Sequence, residues 1–159
     1  MKIALGSDHH GTDAVAGLER ALPRLGHEVR VLGPSCDDGC DYPDAAYAVA
    51  TAVRDGAADM GILICGSGIG MCMVANKVNG VRAGLAVDRH AAEMTRRHNN
   101  ANVLCLSGDR HSTDEVIAIA QAFLGAKFEG GRHARRVDKI KAIERGLDPT
   151  SAPCESGTA

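Results

Sequence analysis

The chain has 159 residues and a mass of 16.5 kDa, with 45% apolar residues, 24% charged residues and a formal charge of −2. This is the size and composition of one globular domain with its own core, and it excludes a disordered or collagen-like chain. Two Tyr, two Phe and no Trp leave the core to Ala, Val, Ile, Leu and Met, and the scarcity of aromatic platforms and the near-neutral charge argue against nucleic-acid and membrane partners.

The chain opens on an apolar run, Ile3 to Leu5, without a basic segment and long apolar stretch before it, so no signal peptide is expected. No stretch approaches the ~18 apolar residues of a membrane span. A cytoplasmic protein with six reduced cysteines is therefore expected. Lys2 to Ser7 reads as a strand and Thr12 to Leu25 as a helix, with Gly26 as its stop. Glu28 to Leu32 reads as a second strand. Asp41 to Asp55 reads as a helix that tolerates Pro43 in its first turn. Met60 to Cys65 is a third strand and Ile69 to Val78 a third helix. Val81 to Val87 is a fourth strand, followed by a helix from Asp88 to Arg97. Val103 to Ser107 is a fifth strand, followed by helices over Thr113 to Phe123 and Arg132 to Arg145.

Strands apolar on both faces, each followed by a helix, pair in parallel with helices on both sides. A three-layer α/β/α sandwich with a five-stranded parallel sheet and right-handed crossovers follows. Residues 1–146 are expected to form a single domain. The Pro-, Ser-, Gly- and Thr-containing stretch 147–159 is expected to be a disordered tail. Ligands of such sheets bind beyond the carboxyl ends of the strands, which selects Asp8 to His10, Cys65 to Gly70, Asp88 and Ser107 to His111.

Three of these features carry candidate chemistry. Cys36 and Cys40 form a lone C-x3-C in a Gly- and Asp-rich loop, short of the ligands a zinc site needs, and read as plain loop thiols. Between Lys127 and Arg145, seven basic residues face three acidic ones, a net of +4, which is either a solvated helix face or an anion site. The run Cys65-Gly66-Ser67-Gly68-Ile69-Gly70 joins a strand to a helix, where glycines let backbone amides approach an anion. The same run would serve equally as a tight turn with no ligand. Its spacing is G-x-G-x-G rather than G-x-G-x-x-G, it lacks a Gly-Lys-Ser/Thr ending, and Met71 stands where a C-x5-R phosphatase needs Arg. A thiol at Cys65, before a helix N-terminus, is expected to have a lowered pKa and act as base or nucleophile. It reads equally well as a buried small hydrophobe.

Several motifs together resemble a known family. They are Gly6-Ser7-Asp8-His9, Asp41-Tyr42-Pro43, Ile64 to Gly70 followed by Ala75-Asn76-Lys77, His98-Asn99 with Asn102-Val103-Leu104, and Glu129-Gly130-Gly131-Arg132-His133 with Arg136. In order and over about residues 2–145, the chain is similar to ribose-5-phosphate isomerase B, in the group that also holds galactose-6-phosphate and allose-6-phosphate isomerases. The resemblance implies a Rossmann-like three-layer sandwich, a homodimer with each site at the subunit boundary, and cofactor-independent aldose–ketose isomerisation of a phosphorylated sugar through an enediolate. It implies no metal. Cys65, with Met71 in place of a Glu, matches the family's cysteine type.

Carried over by motif, Cys65 is the base that moves a proton between C1 and C2. The amides of Gly66, Ser67, Gly68, Ile69 and Gly70 form an oxyanion hole, and the Ser67 hydroxyl exchanges a proton with the sugar oxygens. His98 opens the sugar ring, Asp8 orients hydroxyls or assists, Asn99 bonds the sugar and Tyr42 lines the site. Arg132 and Arg136, four apart on one helix face, bind the phosphate, joined by His9 and by Arg110 from the partner subunit. His10 is read as a neighbour of His9, and Cys72 and Cys105 as core thiols. Two other readings are an isomerase of a four- or six-carbon sugar phosphate and a non-catalytic phosphosugar-binding protein.

Overall fold

The computed structural model describes residues 1–34 and 39–150. In chain order the elements are β1 (Lys2–Ser7), α1 (Thr12–Ala21), a 3-10 turn (Pro23–Leu25), β2 (Glu28–Val31), α2 (Tyr42–Arg54), β3 (Met60–Cys65) and α3 (Ile69–Ala75). They continue with β4 (Ala83–Leu85), α4 (Arg89–Asn99), β5 (Val103–Ser107), α5 (Thr113–Gly125) and α6 (Arg132–Glu144). The strands form one parallel sheet in the order β2-β1-β3-β5-β4. No helix among the described residues is long and apolar enough to cross a membrane.

The alternation of side chains along the strands divides the core in two. Ile3, Leu5, Ile62, Ile64, Leu104 and Leu106 point to one face, where they meet Val15 and Leu18 of α1, Ala92 of α4 and Val116, Ile119 and Phe123 of α5. Ala4, Leu63, Cys65, Val103 and Cys105 point to the other, against Ala45, Val49 and Val53 of α2 and Met71 and Ala75 of α3. β5 is buried throughout and β3 is buried from Gly61 to Cys65, which is why both read as unbroken apolar runs. α5 starts at a capping box in which Ser112 and Glu115 bond each other's backbone N–H, and Asp88 caps α4 through the Ala91 N–H at 2.7 Å. α6 packs on α4.

Three elements are shorter than expected by three residues or more, among them α3, which ends at Ala75 rather than Val78. α1 ends at Ala21, and the chain tightens into the 3-10 turn that starts at Pro23, which lacks the N–H an α-helix would use. β4 keeps only three residues because side chains take over the pairing around it. The Asn76 amide accepts from Ala83 N–H and donates to Ala83 C=O, both at 2.9 Å. Asn102 does the same to Arg82 N–H (2.7 Å) and Gly80 C=O (2.9 Å).

Cys40 is disulfide-bonded, which corrects the expectation of six reduced cysteines; Cys36 lies outside the described residues. Of the stretch 147–159, Leu147 N–H bonds Ala142 C=O at 2.9 Å and Pro149 C=O accepts from Lys139 Nζ at 2.9 Å. The remainder, 151–159, lies outside the described residues.

Candidate active site

The chain passes from β1 to β2 on one side and then returns to β3 on the other, so the connections leaving the paired carboxyl ends of β1 and β3 run to opposite faces of the sheet and leave a crevice between them. An open cleft of about 310 Å³ lies there, lined by Asp8, His9, His10, Cys40, Asp41, Tyr42, Cys65, Gly66, Ser67 and Gly70. Cys65 ends β3 and is buried at the base of this cleft, with its Sγ accepting a hydrogen bond from Gly68 N–H at 3.2 Å. The turn that makes this bond needs glycine. Gly68 has φ +76°, and a Cβ there would lie 2.9 Å from Leu106 O and 2.7 Å from Leu85 Cδ1. One residue earlier, Ser67 Oγ accepts from Ile69 N–H at 3.3 Å.

The end of β5 braces the loop from behind. Ser107 Oγ donates to Gly66 C=O at 2.5 Å, and Gly108 N–H donates to Cys65 C=O at 2.9 Å. Asp8 is buried and its Oδ1 accepts from His10 N–H at 2.9 Å. His10 Nδ1 meets Asp109 Oδ1 at 2.7 Å, which ties the β1 loop to the β5 loop, and the His10 ring lies 4.3 Å from that of His9. The Tyr42 ring, at the start of α2, lies over Gly70 at the start of α3.

A second group of residues forms where α4 ends and α6 begins. His98 on α4 and the buried His133 on α6 stack their rings 4.2 Å apart at an interplanar angle of 1°. Glu129 reaches both, with Oε2 at 3.6 Å from His98 Nε2 and 3.7 Å from His133 Nε2. Its other oxygen, Oε1, is held by the Arg97 guanidinium, with Nε at 2.6 Å. Arg97 in turn bonds Glu93 at 3.0 Å. The Arg97 hydrogen bond and charge hold the Glu129 carboxyl below the usual carboxylate range. Burial, then the charges of His98, Arg132 and Arg136, push the His133 imidazole below its ordinary 6.5. One ligand atom each of His98, Glu129 and His133 lie within 4.8 Å of one another, a donor set that a metal ion could use. Arg97 already occupies Glu129, Arg132 Nε lies 3.4 Å from His133 Nε2, and two parallel rings do not aim their nitrogens at one point.

The residues expected at a site thus fall in two places. Asp8, His9, Tyr42, Cys65, Gly66, Ser67 and Gly70 share the cleft, with Gly68 shaping its loop and Ile69 exposed beside it. His98, Arg132 and Arg136 sit in the α4–α6 group. Asn99 lines a neighbouring hollow of about 210 Å³ with Asn76, Thr95 and Ile140. Arg110 follows β5, where its N–H bonds Ser107 Oγ at 3.1 Å. The sequence reading passed over His10 as a cleft residue and gave Glu129 and His133 no role. Its position just after β1 and beside His9 is the signal for the first. The other two stand in the Glu129-Gly130-Gly131-Arg132-His133 motif, but that motif gives them no role, because their meeting with His98 depends on how α6 docks.

The family model described as Ribose/Galactose Isomerase matches residues 3–140. A protein of Mycoplasma genitalium named probable ribose-5-phosphate isomerase B is 47% identical, over 91% of this chain and 97% of its own length. The D-erythrulose-4-phosphate isomerase of Pectobacterium atrosepticum is 41% identical, over 91% of this chain and 95% of its own. The crystal structure of ribose-5-phosphate isomerase B from Mycoplasma genitalium with bound ribulose-5-phosphate superposes with a TM-score of 0.86 at 46% identity, covering 91% of this chain and 96% of that one. With the matched model spanning most of the chain and near-full-length relatives above 40% identity, the chain belongs to the ribose/galactose isomerase family.

Proposed function

We propose that this protein interconverts ribose 5-phosphate and ribulose 5-phosphate as a cofactor-independent aldose–ketose isomerase. The observation that carries the reading is the placement of the Cys65 sulfur at the base of the strand-end cleft, with a main-chain donor on it, in a chain of this family. In the aldose-to-ketose direction the Cys65 thiolate takes the proton from C2, leaving an enediolate. The same sulfur returns it to C1. The Gly68 N–H is the donor a negative sulfur uses and the Ile69 N–H is taken by Ser67 Oγ, so the loop amides left between Gly66 and Gly70 are the ones that meet the charge developing on the enediolate oxygen. A fixed donor of this kind is worth about 3–4 kcal/mol in the transition state. Asp8, held by His10 N–H, orients the sugar hydroxyls, with Ser67, Tyr42 and Asn99 around it.

Ribose 5-phosphate is mostly a ring, and His98 supplies the acid–base group that opens it. Arg132, Arg136, His9 and Arg110 receive the phosphate; forked guanidinium donors suit its oxygens. His98 and the arginines do not line the Cys65 cleft of the same chain. A homodimer that sets the α4–α6 group of one copy against the cleft of the other completes the site. The exposed apolar pair Ile69 and Met73 on one side of α3, with Val87 exposed beyond β4, supports a partner there. The experiment is a panel of four-, five- and six-carbon aldose phosphates, with Cys65→Ala as the blank. Preferential turnover of ribose 5-phosphate supports the reading. Preference for the four-carbon substrate moves it to the specificity named for the Pectobacterium relative, and binding without turnover of any leaves a phosphosugar-binding protein.

A further inference from the structure

The proposed mechanism leaves Glu129 and His133 unused, although both are directed at the one residue assigned to ring opening. Opening a furanose requires a proton to leave the anomeric hydroxyl and another to reach the ring oxygen. An imidazole that accepts the first carries a positive charge while the ring breaks. A carboxylate aimed at that imidazole stabilises this charge and fixes the ring's orientation, provided the carboxylate is itself held and ionised.

Glu129 meets each condition. Its main-chain N–H is anchored to Arg97 C=O at 3.0 Å, and the Arg97 side chain, pinned by Glu93, occupies Oε1. Only Oε2 remains toward the imidazoles. The 3.6 Å separation from His98 Nε2 is an ion-pair distance that a shift of about 0.7 Å turns into a hydrogen bond. The left-handed turn at Gly130 and Gly131 (φ +66° and +52°) folds the chain back so that the helix carrying His133 starts directly over this carboxylate.

His133 supplies the other constraint. It is 5% exposed, and its ring lies parallel to that of His98 at 4.2 Å. Two imidazolium rings at that separation would repel, so the stack needs one neutral member. His133 is the buried one, and it faces Arg132 (Nε at 3.4 Å from His133 Nε2) and the charge of Arg136 as well as Glu129. A neutral, immobile ring against one face of His98 leaves the charge change to His98 alone.

We infer that Glu129 and His133 are positioning residues for ring opening: the Glu129 carboxylate meets the charge formed on His98, and the stacked His133 ring fixes the plane in which His98 works. This rests on the proposed role of His98. The test compares wild type, Glu129→Gln and His133→Phe, which keeps a flat ring without the nitrogens, on ribose 5-phosphate and on its C2-deuterated form. Rates are taken per folded protein, with folding measured by circular dichroism. The expected result is a fall in kcat/KM of tenfold or more in Glu129→Gln and a smaller fall in His133→Phe, with the deuterium effect on kcat/KM dropping to unity because ring opening, which breaks no C2–H bond, limits the rate. Unchanged rates in both variants overturn the inference, as does a slowed variant whose deuterium effect stays at or above the wild-type value. Failure of the underlying isomerase reading looks different, since the wild type then does not turn over the substrate at all.

Discussion

The aromatic ring of Tyr42 covers Gly70 so closely that a methyl group on Gly70 would sit 2.6 Å from ring atoms Cε2 and Cζ. These two residues lie in the first turns of α2 and α3, and both line the cleft that holds Cys65. The contact therefore packs the first turn of α2 against the first turn of α3 at the edge of the cleft.

Gly70→Ala forces that ring to move. Alanine favours the helix by about 0.5–1 kcal/mol over glycine, while overpacking costs about 1–3 kcal/mol. The substitution is expected to lower stability modestly and to raise KM for the sugar phosphate. In a Tyr42→Ala background the clash is gone, and the same substitution becomes neutral or stabilising. Urea unfolding of the four proteins measures this coupling; an equal effect of Gly70→Ala in both backgrounds would show that the contact has no consequence.

Cys72 complicates any labelling test of Cys65. A hydrogen bond from Cys105 lowers the Cys72 thiol to about 7, helped by Asn76 Nδ2 at 3.6 Å and opposed by burial, while the Cys105 thiol is pushed well above its ordinary value by the same bond and by its own burial. Cys72 is half-buried, whereas Cys65 and Cys105 are 4% and 0% exposed. Brief iodoacetamide treatment at pH 8, read by peptide mass spectrometry, is expected to alkylate Cys72 ahead of Cys65 and Cys105. Faster loss of the Cys65 peptide would contradict this order.

His133 gives stability a pH dependence whose sign is fixed. Burial, with the charges of His98, Arg132 and Arg136, holds its folded-state pKa below the unfolded 6.5, against the opposing pull of Glu129. Between those two values the unfolded chain binds more protons. The stabilisation is therefore complete above pH 6.5 and is lost as pH falls through the folded value. The Glu129 carboxylate, also lowered in the fold, follows the same sign in a more acidic window, below 4.5. Urea midpoints at pH 7.5, 6.5 and 5.5 are expected to fall less in His133→Phe than in wild type. An identical decline in both would remove His133 as a source of acid sensitivity.

What the sequence made legible was local. The bounds of β1, β3 and β5 were readable because buried parallel strands are continuous apolar runs, and the Cys65–Gly70 loop because its glycines and thiol are adjacent in the chain. β4 was read at more than twice its length because its neighbours are paired by the side chains of Asn76 and Asn102, which no periodicity reports. The role of Tyr42 over Gly70 and the stack of His98 on His133 bring together residues 28 and 35 positions apart. Only the docking of helices makes those contacts. The family motifs drew attention to the right segments, but the geometry inside the α4–α6 group, with Glu129 between two imidazoles, had no counterpart in spacing.

One sulfur atom carries the proposed isomerisation, and Cys65→Ala tests its part in it. Ribose 5-phosphate turnover is measured alongside calorimetric binding of the same sugar phosphate to the variant, with circular dichroism to establish the fold. The expected result is a loss of turnover of at least about 10²–10⁴-fold, the range for removal of a general base, with affinity for the sugar phosphate within a few fold of wild type. Turnover near the wild-type rate in a folded Cys65→Ala protein would contradict it.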